Sequence, residues 1–342
     1  MAVQNPIPFS KVIDALLDER TPFSPRYLHR LSDIEPEEST ILENSWPNIS
    51  LHRREALLED MEEIHLEDTV LSFEEVGRIA LKDKEPGVRR RAIQILREYE
   101  LVDLLPKFID LAENDADVEV RSASTTALAT YVYLGEVEDI SPKKLLEVED
   151  CLLRISTGSD TKLVRRRALE ALGFSSREEV PGMIEAAYNS SDWDWVVTAL
   201  FAMGRSANSR WNAEVLKMLD HQHPPIRAEA ASAAGELEIT ASAPTLIQLL
   251  KDSDSEVRMA AIWALSQVGG VGVRQALENM LETTDDNDEA NQLDNALENL
   301  DFTEEMQELA LFELPEDGTD PDEPSDDDFA DFDEFISEDD ED

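Results

Sequence analysis

One pattern returns along this chain at a fixed spacing. It is an apolar residue, then arginine, then alanine four and seven positions after the start, closed by a small or apolar residue. It reads Val164-Arg165…Ala168…Ala171-Leu172-Gly173, then Trp195-Val196…Ala199…Ala202-Met203-Gly204. It continues as Ile226-Arg227…Ala230…Ala233-Ala234-Gly235 and Val257-Arg258…Ala261…Ala264-Leu265. The four starts are separated by three consecutive intervals of 31 residues. Upstream, Val120-Arg121 and Val88-Arg89 fit more loosely, at intervals of 44 and 32, and residues 289–297 form a degenerate copy without the arginine. A period sustained in this way marks a stacked array, in which one short unit cannot bury its own apolar face and neighbours bury it instead.

Each unit carries two helical patterns. In residues 243–268, Ala243-Pro244-Thr245-Leu246 opens a first helix with proline in its first turn. Lys251-Asp252-Ser253-Asp254 makes a turn with Asp254 placed as N-cap, and a second helix follows until Gly269-Gly270 ends it. Apolar spacing of i, i+4, i+7 and i+8 gives each helix one buried stripe. Few aromatics (6%) and only 12 glycines in 342 residues agree with an all-α chain. The fold class expected is an all-α solenoid of about seven helix pairs.

The stretch APTLIQLLKDSDSEVRMAAIWAL resembles a HEAT repeat in its short bacterial form, which is similar to the repeats of phycobilin-lyase subunits. The family pattern is proline in the first helix, aspartate in the turn, and arginine six residues later. Pro244, Asp252 and Arg258 match it; Pro106, Asp115 and Arg121 match with the proline shifted by one; Asp83 and Arg89 match the pair. The resemblance covers roughly residues 70–300. It implies that Arg89, Arg121, Arg165, Arg227 and Arg258 are ladder arginines bonding turn carboxylates and carbonyls between units. It also implies that the second helix of each unit lines a concave groove.

The flanks differ from the array. Residues 1–68 hold helical segments near 9–18 and 51–65, punctuated by Pro22, Pro25, Pro36 and Pro47, and are expected to form an N-terminal helical cap. The repeats are expected over 69–300 and a terminal helix over 301–312. Residues 313–342 contain 17 acids among 30 residues, a composition that predicts a disordered tail. Arg274 is the last basic residue, and 29 of the 77 acids follow it. A net charge of −47 repels nucleic acid and anionic membrane and favours a basic partner. The N-terminal stretch has neither the basic nor the apolar segment of a secretory signal, and the one cysteine, Cys151, permits no intramolecular disulfide; a cytoplasmic location is expected.

On the groove that the resemblance implies, positions two, three and six after each apolar anchor share one face. Arg90, Arg91, Arg166 and Arg167 would form a basic end, while Val197, Phe201, Met259 and Trp263 would form an apolar end with Phe201 and Trp263 exposed. In the tail, Phe329, Phe332 and Phe335 recur at three-residue spacing amid carboxylates, so a transient helix would gather them on one side. Enzymatic signatures are thin. His221 and His223 flank one residue in a turn with no third ligand nearby; Cys151 lies on an amphipathic pattern that reads as core; Asp252-Ser253-Asp254 and Asp285-Asp286-Asn287-Asp288 lack the glycine and closing glutamate of a calcium loop. The function expected is a non-catalytic scaffold, without cofactor or metal, binding a protein or peptide in the groove while the acidic tail gates it or recruits a basic partner. The alternatives are a chromophore-handling subunit like the phycobilin lyases, and a nucleic-acid mimic acting through the tail.

Overall fold

A computed structural model describes residues 7–67 and 70–313, with side chains at 7–65 and 70–302. Phe329, Phe332, Phe335 and the acidic residues around them lie outside the described residues. The described chain is helical throughout and has no strand. It opens with α1 (Phe9–Leu17), α2 (Pro25–Leu28), α3 (Pro36–Ser45) and α4 (Leu51–Glu67). Seven helix pairs follow: α5 (Glu74–Ala80) and α6 (Pro86–Leu96), α7 (Leu105–Asn114) and α8 (Val118–Glu136), α9 (Pro142–Thr157) and α10 (Lys162–Ala171), α11 (Glu179–Tyr188) and α12 (Trp193–Arg205). The last three are α13 (Asn212–Met218) and α14 (Pro224–Glu236), α15 (Ala243–Leu249) and α16 (Ser255–Val268), α17 (Val273–Leu281) and α18 (Asn287–Glu313). The helix expected separately over 301–312 is the continuation of α18, because no proline or glycine interrupts residues 287–313.

Local chemistry sets the helix starts. Asp117, Thr161, Asp192 and Asp254 cap α8, α10, α12 and α16, each side chain accepting from backbone amides of the first turn. Proline occupies the first turn of α6, α7, α9, α14 and α15, where its missing N–H costs nothing. Gly269, at φ +59°, stops α16. One apolar core then runs from Phe9 to Leu300.

The second helices, α4 and α6 through α18, stack side by side as one layer, while the first helices meet their neighbours far less. The small residues at the end of the repeat explain the close stacking. A Cβ on Gly173 would lie 3.0 Å from Ala202 Cα, one on Gly204 3.2 Å from Ala233 Cα, and one on Gly235 2.9 Å from Ala264 Cα. Glycine here is the consequence of a backbone approaching the next helix, repeated every 31 residues.

Carboxylates tie α6, α8, α14 and α16 to the next turn. Arg89 donates through Nε and Nη2 to Asp115 at 2.9 and 2.8 Å, Arg121 to Asp160 at 2.8 and 2.9 Å, and Arg227 to Asp252 at 2.7 and 2.8 Å. Arg258 pairs with Glu289. Each of the four also donates through Nη1 to carbonyls of its own turn, such as Asp83 and Lys84 for Arg89. Such sheltered charge-assisted bonds contribute roughly 1.5–3 kcal/mol. The ladder also extends one unit earlier. Arg54 of α4 pairs with buried Asp83, which accepts from Trp46 Nε1 at 2.7 Å as well.

The ladder is interrupted at its centre. Ser190 and His221 stand where Asp83, Asp115 and Asp252 stand in other turns. The turn itself survives, since the side chain of each still accepts from the amide two residues on, at 3.1 Å for Ser190 and 3.2 Å for His221. The corresponding distances at Asp83, Asp115 and Asp252 are 2.9, 2.9 and 3.0 Å. Arg165 therefore meets no carboxylate among the described residues, and α12 carries Val196 in place of a ladder arginine.

Candidate binding surface on the inner helix layer

The inner layer carries every array position that the sequence pattern singled out, but the arginines there are occupied within the chain. Arg90 donates to Gln94 at 3.4 Å. Arg91 reaches back to α4, pairing with Glu59 at 3.2 Å and Glu62 at 3.5 Å. Arg166 donates to Thr198 Oγ1 at 2.8 Å and lies 3.6 Å from Asp194, and Arg167 pairs with Glu170 at 2.6 Å. Glu170 is itself buried and accepts from Thr198 Oγ1 at 2.9 Å. So Arg91 and Arg166 are paired with carboxylates from neighbouring helices, Arg167 with Glu170 one turn on in its own helix, and Arg90 bonds only the neutral amide of Gln94.

The apolar end also differs from expectation. Phe201 and Trp263 are half-buried, not exposed, and Val197, Met259 and Trp263 pack against the core. Trp263 lies over Gly235 of the preceding inner helix, where a Cβ would come 2.6 Å from its ring. Phe201 lies under a cation: the Arg205 guanidinium sits 4.3 Å from its ring centroid and 4.8 Å from that of Phe174. A guanidinium over aromatic faces is stabilised by the ring quadrupoles. Arg205 has no hydrogen-bonded or salt-bridged partner among the described residues. Burial holds it below the usual arginine range, partly offset by Glu236, Glu170 and Glu229.

Arg205 opens on a cleft of about 360 Å³ beside the C-terminal end of α6, lined also by Arg97, Glu98, Glu100, Thr130, Tyr133 and Phe174. Tyr133 is 47% exposed, and its ring meets Phe174 edge-on at 5.5 Å. Arg97 is paired with Glu98 at 2.7 Å, so Arg205 is the cation left without a bonded partner beside exposed aromatic surface, a composition that binding surfaces favour. The spacing Phe201-x-x-x-Arg205 is visible in the sequence as one helical turn; Phe174, Tyr133 and Arg97 come from other units and are not. Beside this cleft, burial and the like charges of Glu236 and Glu170 push Glu229 up to about 8.

The chemistry-bearing residues named from sequence lie elsewhere. Cys151 is fully buried, and burial pushes its thiol up to about 12, so it is a core residue. His221 and His223 stack on each other at 5.6 Å, and the half-exposed Trp193 meets His221 edge-on at 5.1 Å and His223 at a tilt at 4.6 Å. Trp211 is buried, and Trp195 lies half-buried beneath Arg165. Asp252 and Asp254 serve as ladder partner and cap, and Asp286 accepts from the amides of Asp288 and Glu289 at the start of α18. No helix of the described residues is long and apolar enough to cross a membrane.

The family pattern described as HEAT repeats matches residues 212–298. Residues 212–298 carry HEAT repeats. Solved structures are similar to it at the level of the helical array. Human deoxyhypusine hydroxylase shares 16% identity over 86% of this chain and 96% of its own, with a TM-score of 0.37. The phycocyanin lyase complex of CpcE and CpcF from a Nostoc species shares 17% over 66% and 94%, with a TM-score of 0.45. Kap95p, solved with RanGDP, shares 13% over 85% of this chain and 45% of its own, also with a TM-score of 0.45. No curated protein matches the sequence. A HEAT-repeat array fits a protein-interaction scaffold.

Proposed function

We propose that this protein is a non-catalytic scaffold that holds a protein or peptide against its inner helix layer, with the Arg97–Arg205 cleft as anchor. The observation that carries this is Arg205: a half-buried cation against two phenyl rings, with no carboxylate bonded to it among the described residues, lining a cleft. An unpaired, partly desolvated guanidinium gains most from a ligand that brings an anionic group and an apolar neighbour. Residues 1–68 would close one end of the array formed by 69–300, residues 301–312 would extend its last helix, and residues 313–342 would recruit a basic partner. Val197, Met259 and Trp263 would continue the contact beyond the cleft. The test compares wild-type protein with Arg205→Gln and Phe174→Ala, measuring recovery of co-purifying proteins from the source cell. Loss of the same protein with both variants, at unchanged helical content, supports the anchor; recovery unchanged by either overturns it.

A further inference from the structure

The central gap in the ladder leaves a second, independent opening. At every other arginine rung the guanidinium is closed by a carboxylate one turn on: Asp83, Asp115, Asp160, Asp252 or Glu289. At Arg165 that turn position is Ser190, and the two residues line one cleft. Arg165 Nε donates to the Ser156 carbonyl at 3.0 Å, and its guanidinium lies 5.5 Å from the Trp195 ring centroid. Around it is a cleft of about 270 Å³ between the pairs α9–α10 and α11–α12, floored by Leu169, Met183 and Ala187. The local geometry is thus that of a rung whose carboxylate has been removed while the turn that presents it has been kept. Donors, an aromatic face and an apolar floor converge on a vacant carboxylate position.

We propose that this cleft is a carboxylate-binding site, and that its occupant is an aspartate or glutamate with a neighbouring phenylalanine from the chain's own residues 313–342. The inference rests on the reading that this segment is a binding element. Three phenylalanines among 17 acids match the cleft in both chemistries. One guanidinium and a small apolar floor give weak affinity to a free peptide, and the net charge of −47 repels acidic peptides in solution. Tethering removes that obstacle, because a linked segment is present at an effective concentration in the millimolar range. A basic partner that engages the segment would compete with the cleft for the same carboxylates, so release from Arg165 and recruitment of that partner are one equilibrium.

The test uses the full chain carrying Asp339→Cys with a nitroxide label; native Cys151 is fully buried. Attenuation of the five tryptophan indole N–H signals is read by NMR. The proposal expects the Trp195 signal to lose most of its intensity while Trp46, far away among the N-terminal helices, keeps its own. Ser190→Asp, which restores the missing carboxylate within the ladder, is expected to return Trp195 to full intensity and to raise the melting temperature, so unfolding cannot mimic the result. Attenuation at Trp263 in place of Trp195 would overturn this site while leaving the segment a binding element on the inner layer. No attenuation at either would overturn the docking reading itself, and persistence at Trp195 in Ser190→Asp would overturn the role of Arg165.

Discussion

Asp252 closes both Nε and Nη2 of Arg227 across the boundary between two repeats, and its amide-accepting oxygen shapes the turn in which it sits. One carboxylate therefore fixes a turn and docks a helix 25 residues away. Arg227 and the Asp254 amide hold its carboxyl below the usual range, against the opposing effect of burial. Asp252→Asn is expected to lower stability by roughly 1–3 kcal/mol at neutral pH, measured by denaturant unfolding. A depressed carboxylate contributes stability above its unfolded pKa and loses it as pH falls through the folded one. The difference between variant and wild type should accordingly vanish in acid.

Glycine has opposite consequences at two helical positions. Alanine normally stabilises a helix over glycine by roughly 1 kcal/mol. Gly182→Ala in α11 meets nothing within 4 Å and should show that gain. Gly235→Ala would press on Ala264 and Trp263 and should instead destabilise by roughly 1–3 kcal/mol. Thermal unfolding of the two variants checks the sign of each.

These glycines bear on how far the sequence announces the structure. The 31-residue period is legible because close helix stacking demands small residues at fixed intervals, and the aspartate–arginine spacing is legible because both ends of a rung recur. Arg54 escaped notice because its unit lacks the alanine pattern, although it stands four residues after Ser50, as the other ladder arginines stand after their caps. The partners of the extra arginines were legible only where they lie one turn on, Gln94 for Arg90 and Glu170 for Arg167. Glu59, Glu62 and Asp194 lie on neighbouring helices, and nothing local to VRRRA points to them. The same holds for the cleft, whose Arg97, Tyr133 and Phe174 come from three successive units.

Glu229 makes stability depend on pH. It faces Glu236, Glu170, Arg205 and Arg166, and its folded pKa is pushed up to about 8 from an ordinary 4.5. The folded state then holds a proton that the unfolded state releases between those values. Stability falls as pH rises through that window, by an amount on the order of a few kcal/mol. Glu229→Gln should match wild type near pH 4, exceed it increasingly toward pH 9, and flatten the pH profile of the unfolding midpoint.

The central claim is that a partner is held on the inner layer at the Arg97–Arg205 cleft. It is tested most directly by placing a photo-crosslinking benzoylphenylalanine at Tyr133, on the cleft, and in a separate sample at the fully exposed Val271, away from it. The account predicts a discrete crosslinked partner from position 133, lost when Arg205→Gln is added, and none from position 271. Equal crosslinking from both positions, or a product at 133 indifferent to Arg205, would contradict it.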